Sequence, residues 1–403
     1  MKKDKWFILL LLTIILSCGC FFSTETAKAS DFDGFVGEEI WREFCALYPD
    51  RTAFSQGEKQ ASEYIAEKFS SYGLQCYFGE TYEQVVSYGE IERSQNIVAI
   101  KKSSSQNAKS IVVGAHYDNV SISSSSGAND NASGVAVLLA LASELADEDF
   151  DFDIVFACFG MEELGMLGSQ YFVDSLSEVQ KKNIMLYINL DSLANGDNLY
   201  LYAEDVPTDF ARVFYESHNK NQIAIKKINT TIGNSGIYYS YNYYLGRPFS
   251  ASYFNTDYVS FRNEGIPSVS FFAGNLEYSY GYIESTESSR RVMHSSNDTV
   301  HYLDGFTDKN HLKNMQSVFD CICATLSDDE FLSVANNAVG ELVDDTYYSL
   351  FWSKVIVLLV VVICVLIFVK ILRRLRKRAV ITEQPIKNFK IFFQPNDEEV
   401  FTF

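Results

Sequence analysis

The chain has 403 residues, 47% of them hydrophobic, with 33 Lys+Arg against 52 Asp+Glu and a net charge of −19 at pH 7. That length holds one large domain or two small ones, and so strong an acid excess argues against nucleic acid as a partner. Of the 8 cysteines, Cys45, Cys76, Cys158, Cys321 and Cys323 fall between residues 30 and 349 without paired zinc-finger spacing; an odd set cannot all pair within one chain, which excludes a disulfide-framework protein.

In chain order, the first element is a basic start (Lys2, Lys3, Lys5), an apolar run from Trp6 to Leu16, and Ala27-Lys28-Ala29. This reads as a secretory signal over residues 1–29. A retained anchor, and lipidation at Cys18 within Ile15-Leu16-Ser17-Cys18, stay open beside it. Residues 57–72 place Ala61, Tyr64, Ile65, Lys68 and Phe69 at helical spacing. Two β-branched runs, 96–101 and 110–115, are separated by a polar stretch that reads as a turn. An apolar helix is expected from Gly134 to Leu145, a strand over 153–159, a helix over 164–176, strands over 184–190 and 198–202, and a helix over 208–218. A strand over 266–272 follows, with Pro267 at its tolerant first positions, and then a closing helix over 309–326. Apolar strands alternating with helices predict an α/β fold with a mainly parallel sheet covered on both faces.

The last apolar run, Val355 to Val369, reaches about 20 residues with Leu350, Phe351 and Trp352, enough to cross a bilayer. Lys370, Arg373, Arg374, Arg376, Lys377 and Arg378 follow it directly, which places that side in the cytoplasm. The expected organisation is a signal peptide (1–29), an extracellular domain (30–349), a transmembrane helix (350–369) and a basic cytoplasmic tail (370–403). Setting aside 4 basic and 2 acidic residues in 1–29, and 9 and 4 in 350–403, leaves the extracellular domain 20 basic and 46 acidic residues, a net charge of −26.

In parallel α/β sheets ligands bind beyond the carboxyl ends of the strands. Polar residues gather at those positions. His116 and Asp118 follow the run ending at Ala115, Glu162 and Glu163 follow 153–159, Asp191 follows 184–190, and Asp130 stands at the mouth of the apolar helix in Gly127-Ala128-Asn129-Asp130-Asn131-Ala132-Ser133-Gly134. Taken singly, a His after a strand is more often a hydrogen-bonded core or surface residue, and a Glu-Glu pair a solvated helix start. Together they are costly charges unless paired or bound to a metal. Two histidines and three carboxylates suit zinc. Asp130 is the candidate to bridge two ions, with His116 and Asp191 on one, and Glu163 and His294 on the other. Glu162, beside a ligand, is the candidate general base. Asp118 is the candidate to accept the second ring N–H of His116. His218, His301 and His311 lie in helical or polar contexts and read as structural.

These segments resemble the double-zinc aminopeptidases of the aminopeptidase Y and secreted bacterial leucyl aminopeptidase type. The likeness runs from about residue 95 to 305 and is carried by VVGAHYD (112–118), GANDNASGVAVLL (127–139), FGMEELGMLGSQYF (159–172), NLDS (189–192), TDYVSFRNEGIPSVSF (256–271) and HSSNDT (294–299). It implies a three-layer α/β/α, phosphorylase/hydrolase-like fold, two zinc ions per chain, and hydrolysis of N-terminal residues from peptides, here at the cell surface. Met293 stands where that family often has Tyr, and Thr256-Asp257-Tyr258 where Ser-Asp-His is common. The Tyr-rich stretch from Tyr238 to Tyr253 is a possible source of a phenol donor and equally of packing. A glutaminyl-cyclase-like acyltransferase with one zinc, and a non-catalytic ectodomain, are the alternatives on the same fold. The intact five-ligand set favours the hydrolase.

The topology makes a direct prediction: on intact cells an epitope tag at residue 300 is reached by antibody, and one at residue 395 is reached only after permeabilisation. Protease shaving that removes the second tag and spares the first would reverse the orientation.

Overall fold

The computed structural model describes residues 34–89, 92–105, 108–204, 213–214, 225–226, 256–274, 291–306, 309–328, 330, 331 and 333. The signal segment, the 350–369 run, the basic tail, His218 and the Tyr238–Tyr253 stretch lie outside these residues, as does all of the 208–218 helix except Val213 and Phe214.

The helices are α1 (Glu38–Leu47), α2 (Gln56–Ser71), α3 (Ala132–Glu144), α4 (Leu167–Ser175), α5 (Glu178–Asn183), α6 (Tyr258–Asn263), α7 (Val300–Asp304) and α8 (Asn310–Leu326). The strands are β1 (Gln75–Cys76), β2 (Glu83–Tyr88), β3 (Glu92–Lys101), β4 (Ser110–His116), β5 (Asp153–Phe159), β6 (Ile184–Leu190), β7 (Asn198–Glu204), β8 (Ile225–Lys226) and β9 (Ser268–Gly274). They form one sheet in the order β1-β3-β5-β4-β6-β9-β7-β8, with β2 paired to β3. The central four, β5-β4-β6-β9, are parallel, while β3 joins β5 and β7 joins β9 antiparallel. The sheet is therefore mixed, parallel at its centre and antiparallel toward its margins.

The centre is parallel because β4, β5 and β6 are apolar almost throughout and bury both faces. Phe156 of β5 meets Phe69 of α2, whereas Phe159 meets Phe172 of α4 and Phe261 of α6. Residues an odd number apart on a strand point to opposite faces, so helices cover the sheet on both sides in three layers. On one side α3 is buried at every position from Ala132 to Ala142. It lies against β4, β5 and β6, flanked by α1, α2 and α8. A helix apolar all round is stable only in such a sleeve, and each fully buried Leu or Val there contributes about 1.5–3 kcal/mol. On the other side the ring of Phe261 stacks on Tyr187 at 3.7 Å between centroids. Helix α2 starts where Ser55 accepts the Glu58 N–H at 2.9 Å, and its apolar stripe of Ala61, Tyr64, Ile65 and Phe69 turns inward, as the spacing predicts.

Two local expectations change. The 96–101 and 110–115 runs are not a hairpin, because β5 lies between β3 and β4. The intervening chain is pinned instead by Asp153, which accepts from the Ser103 N–H at 2.8 Å and pairs with Lys102 at 2.9 Å. The helix expected from 164 begins only at Leu167, since Gly165 and Met166 adopt positive φ and both donate N–H to the Glu162 carbonyl. Cys158 is buried in β5 as the sequence indicates, and all five described cysteines are free thiols. Among the described residues no helix is long and apolar enough to cross a membrane.

The start of α4 is keyed to the end of β5. Buried Asn96 accepts from the Gly160 N–H and donates to the Gly168 carbonyl, and a methyl group on Gly168 would run into the Gly160 carbonyl oxygen. Gly168→Ala is expected to lower stability by about 1–3 kcal/mol through overpacking; an unchanged urea midpoint would show that the two segments move apart freely.

Candidate metal centre

The parallel centre of the sheet brings the carboxyl ends of β4, β5 and β6 to one edge, and the first turn of α3 faces the same edge. His116 ends β4, Glu162 and Glu163 lie in the turn after β5, and Asp191 follows β6. Asp130 precedes α3, and His294 reaches the group from the 291–299 loop. Asp130 divides its two carboxylate oxygens between the histidines: Oδ1 is 3.2 Å from His116 Nε2, and Oδ2 is 3.0 Å from His294 Nε2. Asp191 Oδ1 lies 3.5 Å from His116 Nε2, and Glu163 Oε2 lies 3.1 Å from His294 Nε2. The donor atoms of His116, Asp130 and Asp191 thus lie within 4.8 Å of one another, as do those of Asp130, Glu163 and His294. A third set, His116, Glu162 and Glu163, meets the same distance. In it the Glu162 carboxylate is 4.0 Å from His116 Nε2, farther than those of Asp130 and Asp191.

The loops carrying these residues are held by neighbours that the sequence reading gave a different role or none. Asp118 is buried, and its carboxylate accepts the N–H groups of Glu162 (3.1 Å) and Glu163 (3.2 Å). His116 Nδ1 sits 3.2 Å from the Asp118 main-chain carbonyl, its hydrogen-bond partner, and 3.5 Å from the carboxylate. Asp118 therefore anchors the Glu162–Glu163 turn, and both its carbonyl and its carboxylate face His116 Nδ1. Asp298, the acid of HSSNDT, accepts the N–H groups of Asn129 (2.6 Å) and Asp130 (3.1 Å) and so ties the His294 loop to the Asp130 loop. Thr256 donates to Asp191 Oδ2 at 2.6 Å. Asn131 accepts from the Gly134 and Ser192 N–H groups and donates to the Leu190 carbonyl, linking α3 to β6. Met161, Ser192 and His294 all hold positive φ, a conformation that side chains with a Cβ adopt at a cost.

At this edge the carboxylates outnumber the imidazoles. Asp118, Asp130, Glu162, Glu163, Asp191 and Asp257 converge on two imidazoles. Glu163 Oε1 and both carboxylate oxygens of Asp257 are buried without an ordinary hydrogen bond. Burial pushes Glu163 up to about 7, with the charge of Asp130 adding to it, and burial likewise pushes Asp257 up to about 7. Glu162 is driven well above the carboxylate range by burial, which outweighs the opposing charge of His116. Hydrogen bonds to Asp130 and Glu163 raise His294 to about 11. Burial opposes charge on His116, but Glu162 and Asp191, with hydrogen bonds to Asp118 and Asp130, hold it well above its ordinary value. Burial also opposes charge on Asp130, yet its hydrogen bonds to both histidines keep it below the usual carboxylate range. Protons thus accumulate where a divalent cation would satisfy the same atoms, and a nitrogen-and-carboxylate donor set fits zinc.

All six residues singled out as ligands or base come together here. His301 is exposed and His311 is buried beside Asp304 and Trp41, apart from the cluster.

Residues 96–319 match the sequence pattern of Peptidase family M28. The chain belongs to that family. Among its M28 relatives, aminopeptidase YwaD of Bacillus subtilis (strain 168) is 32% identical over 219 residues, 53% of this chain and 41% of the relative. Aminopeptidase Y of Saccharomyces cerevisiae is 27% identical over 188 residues, 47% of this chain and 32% of the relative. The chain therefore spans less than half the length of these two relatives. The fold is shared with BSAP, a zinc aminopeptidase from Bacillus subtilis (TM-score 0.50, 19% identity, 71% of this chain and 93% of that one). It is shared equally with a glutaminyl cyclase from an Acidobacteriales bacterium (TM-score 0.54, 14% identity, 78% and 100%).

The raised pKa values set a sign for stability. His294 favours the folded, metal-free protein fully below the ordinary imidazole pKa of about 6.5, and that contribution is lost as pH rises toward about 11. Glu163 and Asp257 ionise only near 7 when folded, so the unfolded chain gains on the folded one as pH rises from about 4 to 7. The melting temperature of the metal-free protein is expected to fall steadily between pH 5 and pH 9. A rise over that interval in a calorimetric series would contradict this charge distribution.

Proposed function

We propose that this M28 chain is a zinc-dependent aminopeptidase that removes N-terminal residues from peptides, with Glu162 as general base. The observation that carries the proposal is the division of Asp130 between two His–carboxylate groups, with Glu162 beside them. In this reading His116 and Asp191 would hold one zinc, Glu163 and His294 would hold another, and Asp130 would serve both. Bound zinc supplies a lowered water pKa and a Lewis acid for the scissile carbonyl. Every other step falls to the chain. Glu162 takes a proton from the attacking water and delivers it to the departing amine. Asp118 keeps Glu162 and Glu163 in place through their amides. Thr256 orients Asp191, leaving Oδ1 toward His116. Aminopeptidase YwaD and aminopeptidase Y support the reaction class. The glutaminyl cyclase likeness is one of fold, and the complete set of five ligands favours hydrolysis.

The proposed setting is the cell surface, with residues 30–349 outside, a helix over 350–369 in the membrane and residues 370–403 inside. The apolar start and the basic cluster after Val369 support it.

Two substitutions separate the roles. In the full chain, Glu162→Gln keeps the ligands and is expected to retain zinc while kcat drops by about 10²–10⁴-fold. Glu163→Gln removes a charged ligand and is expected to lose zinc as well as activity. Elemental analysis and hydrolysis of aminoacyl fluorogenic amides read both. Full activity in Glu162→Gln would end the mechanism, and a glutaminyl peptide cyclised faster than any amide is hydrolysed would select the acyltransferase.

A further inference from the structure

We infer that Arg51 is a positioning residue of the metal centre: a resident cation, supplied by the chain before the M28 match, that fixes two ligand-bearing loops against each other. The inference rests on the zinc reading above. Arg51 is fully buried, yet among the described residues its guanidinium makes no hydrogen bond to a carboxylate. It donates instead to four main-chain carbonyls: Nε to Tyr117 (2.7 Å), Nη1 to Tyr48 and Ser126 (both 2.8 Å), and Nη2 to Gly127 (3.2 Å). Tyr117 directly follows His116, and Ser126 and Gly127 lead into Asp130. The planar fork therefore spans the His116 loop and the Asp130 loop. The backbone of Arg51 joins the same clamp, its N–H donating to Asn119 Oδ1 at 2.9 Å.

A neighbour from the same N-terminal segment completes the grip. The indole of Trp41 donates to the Ala128 carbonyl at 2.7 Å, fully buried. With Asp298 on the Asn129 and Asp130 amides, buried side chains take up polar groups at every residue from Ser126 to Asp130. A buried irregular loop must find such partners for its peptide groups. Three charges make this more than packing. Arg51 feels the negative fields of Asp298, Asp118 and Asp130, which oppose the effect of burial on it. A buried cation is expensive; the ring of Phe44, 4.9 Å from the guanidinium carbon, and the field of those carboxylates offset the cost. Neither Trp41 nor Arg51 lies in the matched residues 96–319, so the centre is built from both sides of that boundary.

A plain structural staple would affect stability alone, so the test reads the metal. Zinc affinity of the full chain is measured by competition with a chromophoric chelator, and the Co²⁺-substituted protein is examined by visible absorption. Arg51→Lys keeps the charge and loses the fork; Trp41→Phe keeps the ring and loses one N–H. Each is expected to melt cooperatively, to bind zinc at least tenfold more weakly than wild type, and to show an altered Co²⁺ spectrum, with Arg51→Lys the larger effect. Folded variants with wild-type zinc affinity and an unchanged spectrum would overturn the inference. If Arg51→Lys does not fold, Trp41→Phe decides by the same two readings. Wild-type protein that binds no zinc would overturn the zinc reading, and this inference with it.

Discussion

Six carboxylates crowd the carboxyl edge of a parallel sheet, and the rest of the molecule is arranged around the problem they pose. Carboxylates taken out of water repel one another and hold protons more tightly. Here Glu162, Glu163 and Asp257 are all displaced upward. Two imidazoles supply part of the missing charge, and the shared carboxylate of Asp130 joins them. The arrangement is unfavourable for an empty protein and favourable for one that holds divalent cations. In the proposed zinc centre metal affinity and folding stability would be drawn from the same set of atoms.

Holding such a cluster together requires rigid backbone, and the backbone here is irregular where the ligands sit. Positive φ at Met161, Ser192 and His294 flanks or includes the functional residues. What stabilises these turns is a second set of buried polar groups that bind peptide N–H and C=O instead of one another. Asp118 holds Glu162 and Glu163, Asp298 holds Asn129 and Asp130, and Asn131 ties α3 to the end of β6. A charged acceptor on a backbone amide, as at Asp118 and Asp298, is a strong hydrogen bond, and it sets the position of a neighbouring residue of the cluster.

The sheet contributes the common edge. Because β5, β4, β6 and β9 run parallel, their carboxyl ends coincide, and three chain segments far apart in sequence deliver polar groups to one place. Among the described residues the antiparallel margins extend the sheet and carry none of the cluster's residues. Helix α3 is sealed on all sides, so the Asp130 loop at its start enters from a fixed point.

The sequence alone determined the core strands, the buried helix α3 and the polar residues at the ends of β4, β5 and β6, because apolar runs and the residues that interrupt them are local and strongly patterned. It also carried the family likeness through several separate motifs. It did not determine that β5 would lie between β3 and β4, since strand order depends on which edges meet after collapse, and no residue of the 102–109 connection encodes that. Nor did it reveal the work of Asp298, Thr256 or Arg51, because Thr256 meets the carboxylate of Asp191, and Asp298 and Arg51 meet backbone groups, mostly far along the chain. Asp118 marks the boundary between the two. Its place beside His116 was legible, but that its carboxylate also accepts the amides of Glu162 and Glu163 was not, because only the tertiary fold brought that turn within reach.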